Sequence, residues 1–308
     1  MNIQQFEYVL AVARYRHFET AADHCYISQS TLSTMISRFE DELGVMIFNR
    51  KKKPVAITRE GEEIIERLTI IVREIGRLDE LVKEMKGEVK GTVRIACLPT
   101  VAPYLLPLFL HDFSTRYPEL QLVLKESSTQ DIVRQLKSRE LDIGILSPPL
   151  HEEEIREYPI YKESFVLYNT AGKNSKKIDI EDMEWDNFWL LEEGHCMTDQ
   201  VLEICSMNKK KINSSLNIHF KAGSIDSLMR FVKAYKGKTL LPYLSVQNLP
   251  AEEARYISLF KKPVPDRTIA LVTHQHFVRK RILQLLQYVI REKVKLLVPN
   301  IRLINDDK

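Results

Sequence analysis

Four cysteines, at positions 25, 97, 196 and 205, have the widest chemical range of any residues in this chain. Cys196 has the strongest independent claim to reactivity. It follows His195 in a predicted loop, just ahead of a helix predicted over residues 198–207. Backbone N–H groups and the helix dipole at such a terminus favour an anion. A thiol placed there loses its proton more readily, and the thiolate is the reactive form. The other three read differently. Cys97 lies on the apolar face of a predicted strand, and Cys25 sits at a turn between short helices. Cys205, one turn beyond Val201 and beside Leu202 and Ile204, reads by itself as a helix residue facing a core.

A second set of residues suits phosphates and base edges. Residues 45–59 hold Arg50, Lys51, Lys52, Lys53 and Arg59 and no acid. Residues 1–90 as a whole carry 14 basic and 15 acidic side chains, so the patch is local. That suffices, because each phosphate contact is its own counterion release. A charge run standing alone is usually a solvated face. Just upstream, Ser28, Gln29, Ser30, Thr31, Ser33, Thr34, Ser37 and Arg38 share one face of a predicted helix, with no acid before Glu40. Ser, Thr and Gln side chains hydrogen-bond base edges, and Arg38 suits a phosphate.

Three short helices position that face. The first covers residues 3–14, with Phe6, Val9, Leu10 and Ala13 on one side. The second begins near Thr20 and carries Ala21 and Ala22, small enough for close helix contact. After a turn at residues 25–27, Ser28 caps a third helix in which Leu32, Ile36, Phe39 and Leu43 face the core, and Gly44 stops it. This is a helix-turn-helix pattern. The basic residues Arg50, Lys51, Lys52 and Lys53 then form a wing between Phe48 and Thr58, so residues 1–58 read as a winged helix-turn-helix DNA-binding domain. Thr58 opens a long helix with Glu60, Glu62 and Glu63 in its first turn. Ile64, Leu68, Ile71, Ile75, Leu78, Val82 and Met85 follow at steps of four and three, a heptad seam of the kind that pairs helices between chains. Residues 59–90 are the expected linker and dimerisation helix.

From Thr92 the pattern becomes short strands alternating with helices. Strands are expected at residues 93–97, 120–124, 141–146, 165–168, 188–191, 216–220 and 267–272. Helices are expected after Pro103 and at residues 130–139, 198–207, 224–235 and 277–292. Repeated alternation implies an α/β sheet with ligand sites at strand ends.

Composition excludes much else. The chain has 308 residues, 44% apolar and 28% charged, enough for a packed core in about two domains. Its net charge of +3 carries little information. Four cysteines do not make a disulfide-stapled secreted scaffold. The longest nonpolar run, residues 101–110, is too short to span a bilayer, and no secretory leader pattern precedes it. A cytoplasmic location without membrane contact is expected. Glycine-rich phosphate loops, zinc-protease and nucleophile-elbow motifs are absent, and His274 and His276 lack companion ligands, so neither a metal nor a cofactor is expected. A thiol peroxidase or dithiol oxidoreductase would also use Cys196 and Cys205, but it leaves the first 90 residues unexplained. The expectation is therefore not an enzyme.

Taken together, the chain resembles the LysR-type transcriptional regulators over nearly its whole length. The carriers are Phe18-Glu19-Thr20-Ala21-Ala22, Ser28-Gln29-Ser30-Thr31-Leu32-Ser33, Leu43-Gly44-Val45 and Thr58-Arg59-Glu60-Gly61. The resemblance implies a winged helix-turn-helix, a dimerising linker helix and two α/β regulatory subdomains of periplasmic-binding-protein type. These would be subdomain I at about residues 91–162 and 268–308 and subdomain II at about 163–267, within a regulatory domain over 91–308. It also implies homotetramers, double-stranded DNA as partner and recruitment of RNA polymerase. Ser30 departs from the family pattern, which usually has proline there.

A narrower resemblance points to the peroxide-sensing branch of that family. It rests on Leu98-Pro99-Thr100-Val101-Ala102-Pro103-Tyr104-Leu105-Leu106-Pro107, on Leu191-Glu192-Glu193-Gly194-His195-Cys196-Met197-Thr198-Asp199-Gln200, and on Cys205. It implies hydrogen peroxide as the signal, Cys196 as the peroxidatic and Cys205 as the resolving cysteine of a reversible disulfide, and activation of oxidative-stress defence genes. It further implies a peroxide pocket of Thr100, Thr129, His195, Asp199 and Arg267. If the stretch between the cysteines is helical, nine residues separate them by about 13.5 Å of rise. A disulfide needs Cα atoms within roughly 7 Å, so oxidation would have to unwind that stretch. The alternative is a regulator of the same family induced by a small organic ligand between the regulatory subdomains, with the cysteines incidental.

Overall fold

The computed structural model describes residues 1–172, 174–183, 185–191, 197, 200–201, 222–297 and 301–304. The chain forms two compact units, Met1–Met85 and Lys86–Lys308.

In the first unit, α1 (Ile3–Tyr15), α2 (Phe18–His24) and α3 (Gln29–Leu43) precede a two-stranded wing of β1 (Phe48–Asn49) and β2 (Ala56–Ile57), and then α4 (Arg59–Met85). Each helix start has its local cause. The Asn2 side chain accepts the Gln5 N–H while the Gln5 side chain accepts the Asn2 N–H, and Ser28 Oγ accepts the Thr31 N–H at 3.1 Å. Gly44, at φ +68°, lets α3 end in a left-handed turn. Leu32, Ile36 and Phe39 pack with Tyr8, Val9, Val12, Ala21 and Ala22 into one core, which also takes Ile47 and Phe48 from the start of the wing. Thr58 ties the wing to α4. Its Oγ1 donates to the Met46 carbonyl at 2.6 Å and accepts the Gly61 N–H at 2.9 Å.

In the second unit, parallel strands β3 (Gly91–Cys97), β4 (Leu120–Glu126) and β5 (Ile143–Leu146) are joined through α5 (Ala102–Arg116) and α6 (Thr129–Lys137). The long β6 (Ile155–Asn169) follows, then β7 (Lys177–Ile178), α7 (Ile225–Ala234), β8 (Lys238–Pro242), α8 (Tyr243–Val246), α9 (Ala251–Ala254), β9 (Ile257–Phe260), β10 (Asp266–His274), α10 (Lys280–Lys295) and β11 (Ile301–Leu303). The main strand order is β4-β3-β5-β10-β6-β9-β7, with β8 and β11 also paired to β6. Two hydrophobic cores lie on this frame. One holds Ile95, Phe109, Phe113, Ile143, Leu271 and Ile290, and the other Phe165, Tyr168, Trp185, Phe188, Leu228 and Leu241. The strand β6 leaves the first core after Tyr161 and enters the second at Phe165, and the chain returns from Phe260 to Ile269. Both crossings run side by side, with Arg267 opposite Glu163 and Ile269 opposite Tyr161.

Two sequence expectations need correction. The second helix starts at Phe18, not near Thr20, because the His17 ring supplies the cap by accepting the Thr20 N–H at 3.5 Å. A cap search confined to hydroxyl and acid side chains overlooks an imidazole. Residues 188–191 are not a strand; Phe188 and Leu191 make only isolated bridges to Lys238 and Ala222. That apolar run is core filling, and short buried runs carry no period. The strand expected at 216–220 and most of the helix expected at 198–207 lie outside the described residues, though Met197, Gln200 and Val201 are helical.

Gly61 is confined by the junction it serves. A Cβ there would stand 2.4 Å from the Ile47 carbonyl oxygen, a backbone atom that cannot rotate away. Gly61→Ala is expected to destabilise the first unit by about 1–3 kcal/mol. Scanning calorimetry of the full chain checks this, and a first-unit transition identical to the parent's would contradict the packing described.

Candidate functional site

The polar face of α3 lies in the open. Ser28, Gln29, Ser30, Thr31, Thr34 and Arg38 are exposed, as are Lys51, Lys52 and Lys53 in the wing. Some of these groups are partly committed. Ser28 Oγ lies 2.9 Å from Ser30 Oγ and 2.8 Å from Thr31 Oγ1, and Thr34 Oγ1 donates to the Ser30 carbonyl at 2.9 Å.

Arg50 and Ser33 sit differently from their neighbours. The Arg50 guanidinium lies over the Phe18 ring at 5.1 Å, donates to Ser33 Oγ at 2.9 Å, and pairs with Glu40 Oε2 at 2.8 Å. The Glu40 carboxylate is buried, and its other oxygen accepts the N–H groups of Ile47 and Phe48 at 2.7 and 3.0 Å. Arg50 thus fastens the wing to α3, a role that sequence reading, which grouped it with the lysines, did not separate. Tyr26 was also missed. It is 95% exposed at the turn before α3, with φ +56°. The available signal was a large aromatic at a turn position where a small residue is usual.

The second site lies where the two crossings meet. Arg267, buried on β10, reaches both ways. Its Nε donates to Glu163 Oε1 at 2.7 Å, with Nη2 2.5 Å from the same oxygen. Its Nη1 donates to Thr100 Oγ1 and its Nη2 to the Thr100 carbonyl, both at 3.1 Å. Glu163 also accepts the Leu244 N–H from α8 at 3.4 Å. The structure therefore joins two of the residues expected in the peroxide pocket, Thr100 and Arg267, and adds Glu163, which the sequence did not reveal. Arg267 is 3% exposed. Thr129 is the first residue of α6, and its buried Oγ1 has no hydrogen-bond partner among the described residues.

Nearby, burial pushes the Cys97 thiol well above its ordinary range, more strongly than Arg267 pulls it down. Burial and Glu163 likewise raise the Tyr161 phenol. Cys97 is a protonated core thiol and a poor nucleophile. His195, Cys196, Asp199 and Cys205 lie outside the described residues. Of the segment between the cysteines, Met197 and Val201 are buried in the second core, and Gln200 Nε2 donates to Ser147 Oγ at 2.7 Å. Among the described residues no group of three or more His, Cys, Asp or Glu side chains is placed to hold a metal ion. His274 is engaged with Glu154 Oε2 at 3.3 Å and accepts the His276 N–H at 3.0 Å.

Comparison with known proteins places both units. Residues 3–62 match the family described as bacterial regulatory helix-turn-helix protein, lysR family, and residues 86–294 match the LysR substrate binding domain. A hydrogen peroxide-inducible genes activator of Pectobacterium carotovorum subsp. carotovorum is 36% identical over 279 residues, 88% of this chain and 90% of the relative. The DNA-binding transcriptional dual regulator OxyR of Escherichia coli K12 is 35% identical over 279 residues, covering 88% and 89%. Among solved structures, a full-length OxyR variant from Pseudomonas aeruginosa superposes with a TM-score of 0.73 at 28% identity, covering 94% of this chain and 95% of that one.

The buried ion pair yields a stability test. Glu163→Gln leaves the Arg267 charge uncompensated in a site closed to water, at an expected cost of about 3–5 kcal/mol. The double replacement of Glu163 by Leu and Arg267 by Met should recover most of that loss. Chemical denaturation of the three proteins decides it. A single variant no less stable than the double one would mean that the pair does not bear the charge as described.

Proposed function

The chain belongs to the LysR family of DNA-binding transcriptional regulators, and on that premise we propose that it is a peroxide-responsive regulator switched by a Cys196–Cys205 disulfide. The observation carrying this reading is the likeness of almost the entire chain to regulators named for hydrogen peroxide induction. The Gly194-His195-Cys196 motif and the second cysteine nine positions on supply the matching chemistry.

The Cys196 thiolate attacks one oxygen of hydrogen peroxide. The O–O bond breaks, the distal oxygen leaves as water after taking a proton, and Cys196 becomes a sulfenic acid. The Cys205 sulfur then attacks the Cys196 sulfur, a second water departs, and the disulfide forms. Two thiols lose two electrons to peroxide, and a dithiol reductant later returns them. Thr100, Thr129 and His195 are assigned to hold peroxide by hydrogen bonds, His195 to give a proton to the leaving oxygen, and Asp199 and Arg267 to complete the pocket. In support, the Thr100 hydroxyl is held by Arg267, and Thr129 Oγ1 has no partner among the described residues.

On the DNA side, Ser28, Gln29, Ser30, Thr31 and Thr34 are assigned to base edges in the major groove and Arg38 to a phosphate. Lys51, Lys52 and Lys53 are assigned to phosphates, and Arg50 and Ser33 to holding the wing against that face. Dimerisation is assigned to α4, where Ile71, Leu78, Val82 and Met85 of the heptad seam are 42%, 62%, 45% and 79% exposed. Dimers pair into tetramers, the disulfide alters half-site spacing, and that change governs recruitment of RNA polymerase. A cytoplasmic setting fits a switch that must start as free thiols. Among the described residues no helix is long and apolar enough to cross a membrane.

Cys196→Ser is expected to bind operator DNA normally and to give no transcriptional response to peroxide; a normal response in that variant would refute the assignment. Non-reducing peptide mapping of the parent after brief peroxide exposure should show a linked Cys196–Cys205 peptide that a dithiol removes. Replacing Lys51, Lys52 and Lys53 with alanine should weaken operator binding and flatten its dependence on log salt by about 0.9 for each phosphate left without its lysine. An unchanged slope would remove the wing from the interface.

A further inference from the structure

Gln200 stands between Cys196 and Cys205 in sequence and is tied to a distant part of the fold. Its Nε2 donates to Ser147 Oγ at 2.7 Å, and Ser147 Oγ donates to the Thr268 carbonyl at 2.6 Å. Ser147 directly follows β5 at the edge of the first core and is 4% exposed. Thr268 adjoins Arg267 on β10. Met197 and Val201, one helical turn apart, are buried in the second core. Among the described residues of that segment, Met197 and Val201 are thus apolar anchors on one core, and Gln200 is a polar catch on the edge of the other. Gln200 Oε1 is buried and has no partner among the described residues, so nothing there backs up the catch.

We propose that the Gln200–Ser147 hydrogen bond holds the dithiol form and must break for Cys196 and Cys205 to join. Ser147, 49 positions before Cys196, thereby sets the thiol–disulfide balance from outside the switching segment. This rests on the disulfide reading above. Met197, Gln200 and Val201 are helical here. A helix continued to Cys205 keeps the two Cα atoms about 13.5 Å apart, whereas the bond needs them within roughly 7 Å. Closing the ring bends the chain on both sides of Gln200 and carries its carboxamide off Ser147. Both residues are positioning residues, since neither touches sulfur or peroxide in this scheme.

The test is the equilibrium of the full-length protein with reduced and oxidised dithiothreitol. In this exchange the protein dithiol passes two electrons and two protons to oxidised dithiothreitol, leaving a protein disulfide and the reduced reagent. Losing one buried hydrogen bond from the dithiol form alone is worth a factor of about five. Ser147→Ala should therefore shift the equilibrium about fivefold toward the disulfide, a potential about 20 mV more negative. In a Gln200→Met background, which has no catch to lose, Ser147→Ala should shift it less than about twofold. Equal shifts in both backgrounds, or no shift in the parent background, would overturn the catch while leaving the disulfide reading intact. A parent protein that forms no Cys196–Cys205 disulfide at any poise would overturn both. Operator binding by reduced Ser147→Ala, equal to the parent's, confirms that the variant is folded.

Discussion

A guanidinium taken out of water needs a countercharge, and the way this chain supplies one to Arg267 organises much of the second unit. Glu163 lies opposite it on the neighbouring strand, so the pair forms where both crossings between the cores run side by side. The planar fork of an arginine has donors to spare after one carboxylate is satisfied. Here they go to the hydroxyl and the carbonyl of Thr100, in the turn between β3 and α5. Glu163 meanwhile accepts a backbone N–H from α8. Four separate elements are thus positioned by one buried charge. The Thr100 hydroxyl is therefore fixed by a residue of the crossing itself.

The same device recurs in the first unit with the signs exchanged. There the buried group is the Glu40 carboxylate, which collects two backbone N–H groups and the Arg50 guanidinium. The result welds the wing to α3, so the groups expected to meet the groove and the backbone of DNA move as one body. It engages Arg50 with both Glu40 and Ser33, and leaves Arg50 and Ser33 half-buried. The three lysines beyond carry the exposed charge of the wing.

How much of this was legible depended on how far apart in sequence the partners stand. The helices of the first unit follow from period and caps read over a few residues, and the sequence error there, the start at Phe18, arose from a capping side chain outside the usual set. The strand–helix alternation of the second unit was visible, but the length of β6 was not, since its two halves serve different cores. Glu163 and Arg267 are 104 residues apart, and Gln200 and Ser147 are 53 apart. No local pattern pairs residues at such distances; strand register brings together the first pair, and tertiary packing the second. The cysteine motif was legible as a motif, and its four chemical residues lie outside the described part of the chain.

The helix α4 has a consequence that comes from its length alone. Its 27 residues span about 40 Å. A straight rod of that length converts a tilt of about 10° at one end into a displacement of about 7 Å at the other, roughly two base-pair steps of DNA. On the proposed function, a small tilt of α4 is enough to change register along a double helix. The gain comes from leverage, with no large motion required at the source.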